Sequence, residues 1–171
     1  AIADAARRHP GVDILFNAAG WVHHGSVLDC TEDEWDFAFN LNVRSMYRTT
    51  KAFLPGMLER HWGRVINIAS MAGLEGARYI PAYTASKHAL VGLTRAAAAE
   101  VAGHGVTVNA VCPAYVETPM TEATIENIVR RTGKSAAEAR EAIVSTMPRR
   151  KLIAPEEVAR AVLALAVDEA V

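Results

Sequence analysis

Three short apolar runs, at residues 12–16, 64–69 and 106–112, alternate with long stretches of helical pattern. Strands this short, each separated from the next by a helix, pair in parallel, because a parallel neighbour is reached through a crossover connection. The expected class is therefore α/β, with a doubly wound parallel sheet. Ligands of such sheets bind beyond the carboxyl ends of the strands. Asn17, Ser70 and Pro113 each stand at or just past such an end.

The helical stretches carry their own punctuation. Thr31-Glu32-Asp33-Glu34 is a capping box, opening a stretch that runs to about residue 60 with a kink expected at residues 40–42. Pro81 suits the first turn of a helix reaching about residue 103. Residues 121–132 and 135–146 read as two helices of an insertion spanning about 121–150, and residues 155–166 as the last helix.

With 171 residues, 51% of them hydrophobic and 22% charged, the chain can bury a sizeable core as one domain. A net charge of −1 gives no reason to expect nucleic acid or an acidic membrane surface as partner. No apolar run is long enough to span a bilayer. Cys30 and Cys112 lie far apart, with no second cysteine or histidine at ligand spacing. They read as reduced thiols of a cytoplasmic protein, and no metal centre is expected.

Tyr83-Thr84-Ala85-Ser86-Lys87 is the most chemically informative stretch. Its tyrosine and lysine, one helical turn apart, share a face. With Ser70 they supply a phenol, an ammonium and a hydroxyl, the set a carbonyl/alcohol redox site needs. The phenol exchanges a proton, the cation lowers the phenol's pKa, and the hydroxyl donates to an oxygen that gains charge. A lone Tyr-x-x-x-Lys arises by chance in many helices, so the weight lies in its company.

That company resembles the short-chain dehydrogenase/reductase family. Asn17-Ala18-Ala19-Gly20 is similar to its Asn-Asn-Ala-Gly turn, Asn42 to its helix asparagine, and Ser70, Tyr83 and Lys87 to the rest of its catalytic tetrad. Pro113-Ala114-Tyr115-Val116-Glu117-Thr118-Pro119 is similar to its Pro-Gly-x-Val-x-Thr loop, with alanine for glycine. If that position needs a positive φ, Ala114 is strained. The resemblance implies a Rossmann-like domain, partial over residues 1–171, and NAD(P)-dependent interconversion of a small secondary alcohol and a ketone. NAD is the first expectation and NADP the alternative; the rival to an enzyme is a non-catalytic scaffold of the same fold.

The resemblance also implies roles. Tyr83 is the acid or base and Ser70 the oxyanion partner. Lys87 tunes Tyr83 and holds the nicotinamide ribose. Asn42, with Asn40 as rival, frees a backbone carbonyl for a water that links Lys87 to solvent. Residues 17–20 face the adenine-side ribose, while Pro113, Val116 and Thr118 line the nicotinamide and pyrophosphate. A homodimer or homotetramer built on the long helices is implied.

The family's opening Gly-x-x-x-Gly-x-Gly turn and its closing Val-Asp-Gly-Gly do not occur among these residues. The expectation is that roughly 80 to 90 residues, about three strands with their helices, precede them in a longer chain. Residues 16–57 resemble the type 2 (R)-3-hydroxybutyrate dehydrogenase branch. Val22, Ala72 and Ile80 stand where bacterial members carry the polar residues that bind the acid, which argues against that binding mode. His23 and His24 follow the Asn17–Gly20 turn and border the implied substrate pocket. The sequence leaves open whether Glu75 and Arg78 face that pocket or the surface, and Arg149-Arg150-Lys151 reads as a solvated helix exit.

Overall fold

A computed structural model describes residues 1–167. Its sheet has β1 (Ile14–Asn17), β2 (Gly63–Ile68) and β3 (Val106–Val111), all parallel and in that spatial order. The register aligns Asn17 with Asn67, and Asn67 with Ala110. The first strand begins at Ile14 rather than Val12, because pairing starts where the Arg64 amide meets the Asp13 carbonyl, at 2.9 Å.

The helices are α1 (Ile2–Arg8), α2 (Glu32–Phe39), α3 (Ser45–Glu59), α4 (Pro81–Val101), α5 (Pro119–Thr132), α6 (Ala136–Val144) and α7 (Pro155–Val167). The capping boxes at Thr31/Glu34 and Ser135/Glu138 are both formed. The expected kink is a π-helical turn, Asn40–Arg44, joining α2 to α3. Such a turn widens the hydrogen-bond ladder and is common beside functional sites.

Val65, Val106 and Val108 of the sheet pack with Met57 of α3 and Val101 of α4, and Leu15, Phe53 and Ala97 close around them. A second cluster, Met46, Ala69, Leu90 and Val91, sits nearer the strands' carboxyl ends. Alternation along β2 turns Arg64 and Ile66 to the opposite face, the side on which α7 covers β2 and β3. Ile125 of α5 with Ala139 and Ile143 of α6 form a small core of their own.

A polar thread crosses the α3–α4 face. Thr49 of α3 donates to Asn17 Oδ1 at 2.8 Å, Asn17 Nδ2 to Asn67 Oδ1 at 2.9 Å, and Asn67 Nδ2 to Thr94 of α4 at 2.9 Å. Thr94 in turn donates to the Leu90 carbonyl at 2.8 Å. Buried amides left unpaired cost about 1–3 kcal/mol each. This thread satisfies them and sets the carboxyl ends of β1 and β2 against the helix that carries Tyr83 and Lys87.

Candidate active site

Pro81 occupies the first turn of α4, and Tyr83 and Lys87 follow on one face. Lys87 is only 2% exposed. Its Nζ donates to the Ile68 carbonyl at the end of β2, at 2.7 Å, and stands 5.5 Å from the centroid of the Tyr83 ring. Loss of hydration lowers its pKa from 10.5 to about 8, with Cys112 acting weakly the other way.

The phenol of Tyr83 departs from expectation. Burial pushes its pKa up, the Ser70 hydroxyl pulls it down, and Tyr115 pushes it up again. The net direction is upward, because removing the phenolate from water is the largest influence on this group. The phenol is accordingly neutral at pH 7.

Ser70 follows β2 in extended backbone and caps the short 3₁₀ turn Met71–Gly73, its Oγ accepting from the Ala72 amide at 3.1 Å. Gly73 is where this turn meets α4: a Cβ there would lie 2.7 Å from the Lys87 carbonyl oxygen. The glycine thus allows the backbone bearing Ser70 to press against the helix bearing Tyr83. Its small size is readable in the sequence, but its partner is not.

Asn42 is fully buried in the π turn, whereas Asn40 is exposed and bonds Arg44. The Asn42 side chain receives the Trp21 amide on Oδ1 at 2.9 Å. Its Nδ2 donates to the Trp21 carbonyl and to Ser86 Oγ, both at 2.9 Å. Ser86 donates onward to the Tyr83 carbonyl at 2.8 Å. Asn42 therefore ties the loop after β1 to the first turn of α4, through a serine that sequence reasoning overlooked inside the Tyr83–Lys87 interval.

In the Asn17-Ala18-Ala19-Gly20 turn, the Asn17 side chain is engaged in the polar thread, which leaves its backbone for any cofactor contact. Ala18 and Ala19 are exposed. Gly20 opens onto the site: a Cβ there would stand 3.6 Å from Lys87 Nζ and 3.7 Å from Asn42 Oδ1.

The loop after β3 is anchored by Pro113, whose carbonyl accepts from the Met71 amide at 2.9 Å. Val116 forms a parallel bridge with Ile153, flanked by bonds of 2.9 Å from Glu117 N to Ile153 O and from Ile153 N to Tyr115 O. Its carbonyl accepts from Thr121 at 2.6 Å and from Thr118 at 3.3 Å. Thr118 stands at the N-cap of α5 with Pro119 in the first turn. Strain at Ala114 is not found: the described non-glycine residues with positive φ are His61, Tyr79 and Arg150.

Tyr115 is the aromatic that sequence reasoning passed over. It acts on the Tyr83 phenol, and burial raises its own pKa. His23 pairs with Glu34 at 3.1 Å, and His24 meets Thr124 of α5 at 2.9 Å. Glu75 and Arg78 are exposed, as are Arg149, Arg150 and Lys151. A cleft of about 380 Å³ lies between the Pro113–Ala114 backbone and α7, but Ser70, Tyr83 and Lys87 do not line it. That cleft is therefore separate from the Ser70, Tyr83 and Lys87 cluster.

The chain is 43% identical over 159 residues to dehydrogenase/reductase SDR family member 6 of Rattus norvegicus, covering 92% of this chain and 63% of the relative. It is 39% identical over 170 residues to a D-beta-hydroxybutyrate dehydrogenase of Rhizobium meliloti, covering 99% of this chain and 66% of that one. The chain thus spans a little under two thirds of these relatives' lengths. A crystal structure of an actinorhodin polyketide ketoreductase variant with NADPH superposes with a TM-score of 0.91 at 37% identity, over 99% of this chain and 67% of its own. The family described as short chain dehydrogenase matches residues 1–128, and the chain belongs to that family.

Proposed function

We propose that the protein interconverts a secondary alcohol and a ketone with a nicotinamide dinucleotide. The observation that carries this reading is the meeting of the Ser70 hydroxyl, the Tyr83 phenol and the buried Lys87 ammonium at the carboxyl end of β2.

The residues fit the nicotinamide-ribose half of such a cofactor. Lys87 Nζ has three hydrogens, and Ile68 takes one. The missing Cβ of Gly20 leaves room beside it. Lys87 would hold the ribose hydroxyls, with residues 17–20 on one side and Pro113, Val116 and Thr118 on the other. When bound, the nicotinamide supplies or accepts the hydride. Tyr83 donates its proton to the oxygen of a ketone, or removes one from an alcohol. Ser70 holds that oxygen. Lys87 and Asn42 connect Tyr83 to solvent, and α5 with α6 forms the substrate-side insertion, fastened to the His24 loop through Thr124.

NAD is the first cofactor on the likeness of residues 16–57 to hydroxy-acid dehydrogenases. NADPH in the ketoreductase structure supports the alternative. Initial rates on a panel of secondary alcohols, hydroxy acids and ketones, each with both cofactors, test the proposal. Turnover of at least one pair is expected, and none at all overturns the activity. A tenfold or larger preference for NADPH would instead replace NAD with NADP and favour a ketoacyl-reductase-like role.

The reading includes a homodimer or homotetramer. Trp35 and Phe37 of α2 and Tyr47 of α3 are 39–50% exposed, a run of aromatics suited to a twofold mate. Light scattering at micromolar concentration is expected to give a multiple of the chain mass, and a monomer rules this out. No described helix is long and apolar enough to cross a membrane. The two free thiols support a cytoplasmic setting.

A further inference from the structure

His23, Cys30 and Glu34 are distant from any short metal signature in sequence, yet the loop between β1 and α2 folds their ligand atoms to within 4.8 Å of one another. We propose that they form a zinc site that fixes this loop to the head of α2.

Each ligand is presented by surrounding structure. Glu34 is the reciprocal member of the Thr31 capping box, where its Oε2 accepts from the Thr31 amide and hydroxyl, both at 3.0 Å. That leaves Oε1 free to face His23 Nδ1 at 3.1 Å. The capping box therefore does for Glu34 what outer-shell hydrogen bonds do for metal ligands generally: it fixes orientation. His23 is 7% exposed, and its buried Nε2 has no hydrogen-bond partner among the described residues. Glu34 is the imidazole's ion-pair partner, and the Trp21 ring lies beside it with centroids 6.4 Å apart. Gly25 closes over the Nε2 edge, where a Cβ would lie 2.5 Å away, so the ring presents Nδ1 to the cluster.

Cys30 is partly exposed; its sulfur lies 3.7 Å from the Thr31 carbonyl and also meets the Ala82 backbone at the start of α4. A divalent cation would bind the sulfur as thiolate, displacing its proton, and would neutralise the Glu34 carboxylate.

One imidazole, one thiolate and one carboxylate suit zinc better than magnesium or calcium, which take oxygen ligands. Three protein ligands leave a fourth, water-filled position. Zinc bonds of about 2.0–2.3 Å require the three atoms to draw together by about an ångström, within reach of the partly exposed Cys30 and Glu34 side chains. The bound ion would stiffen the segment that presents Trp21 to Asn42 and His24 to α5.

The test uses purified protein stripped with a chelator and then given zinc or cobalt(II). The wild type is expected to retain about one zinc per chain after desalting, to melt at a higher temperature with zinc, and to show a thiolate-to-cobalt charge-transfer band. Cys30→Ala is expected to lose that band. Glu34→Gln can keep the capping box, since glutamine serves at that position, and is expected to weaken zinc binding by more than about tenfold, the lower end of what outer-shell changes alone cost. Absence of the cobalt–thiolate band in the wild type, or equal zinc affinity in Cys30→Ala, overturns the proposal. Neither readout depends on turnover, so this result stands apart from the oxidoreductase assignment.

Discussion

Tyr83→Phe is expected to lower kcat by at least about a hundredfold, the lower end of what general acid–base catalysis contributes, while cofactor affinity stays within a few fold. The phenyl ring fills the same space on α4, so the change removes one hydroxyl and little packing. Because burial raises the pKa of that hydroxyl, Tyr83 at pH 7 is poised to give a proton rather than to take one. Ketone reduction is therefore expected to be the easier direction near neutrality, and alcohol oxidation to quicken as pH rises. Single-turnover rates in both directions, alongside cofactor titration, check both parts. A Tyr83→Phe enzyme that keeps more than about a tenth of wild-type kcat removes Tyr83 from the acid/base role.

The strands and most helices could be read along the chain because each is a local pattern. Short apolar runs marked β2 and β3, and Thr31/Glu34 marked a helix start by spacing alone. The kink at residues 40–42 was likewise visible, through two asparagines inside an otherwise continuous helical stretch. Relations between distant elements were not readable. Arg64 looks like the charged boundary of a strand, yet it lies 1% exposed within β2, its guanidinium 4.5 Å over the Trp62 ring and bonded to the Gly63 and Gly105 carbonyls. Asn67 looks like an ordinary polar interruption of an apolar run, yet it is the centre of the Thr49–Asn17–Asn67–Thr94 thread.

The candidate site divides in the same way. Tyr83, Lys87 and Ser70 announce themselves by residue type and spacing. Ser86, Gly73 and Tyr115 matter through what they touch, which no periodicity reports. The direction of the Tyr83 shift was misjudged for a related reason. Neighbouring charge can be inferred from a four-residue spacing, but desolvation depends on everything else that packs around the ring.

Lys87→Met should invert the usual expectation that losing a buried, hydrogen-bonded side chain destabilises the protein at every pH. The lysine's folded pKa of about 8 lies below its ordinary 10.5, so the unfolded chain binds the proton more tightly. Below pH 8 the folded state bears the full penalty of a charged ammonium with little water around it. Between pH 8 and 10.5 the folded protein sheds that proton before the unfolded chain does, and the penalty fades. Wild-type stability relative to Lys87→Met is therefore expected to rise with pH, by about 2 kcal/mol between pH 7 and 9.5. The bond to the Ile68 carbonyl is lost in the variant at every pH and so shifts the offset rather than the slope. Urea melts of both proteins at the two pH values measure the difference, in which the other titrating groups largely cancel. A flat difference means that Lys87 titrates normally and is reached by water. A falling one means that its cation is stabilised by the fold, as a lysine paired with an acid would be. Turnover is expected to collapse in Lys87→Met at both pH values, so the variant separates what the ammonium does for the reaction from what it costs the fold.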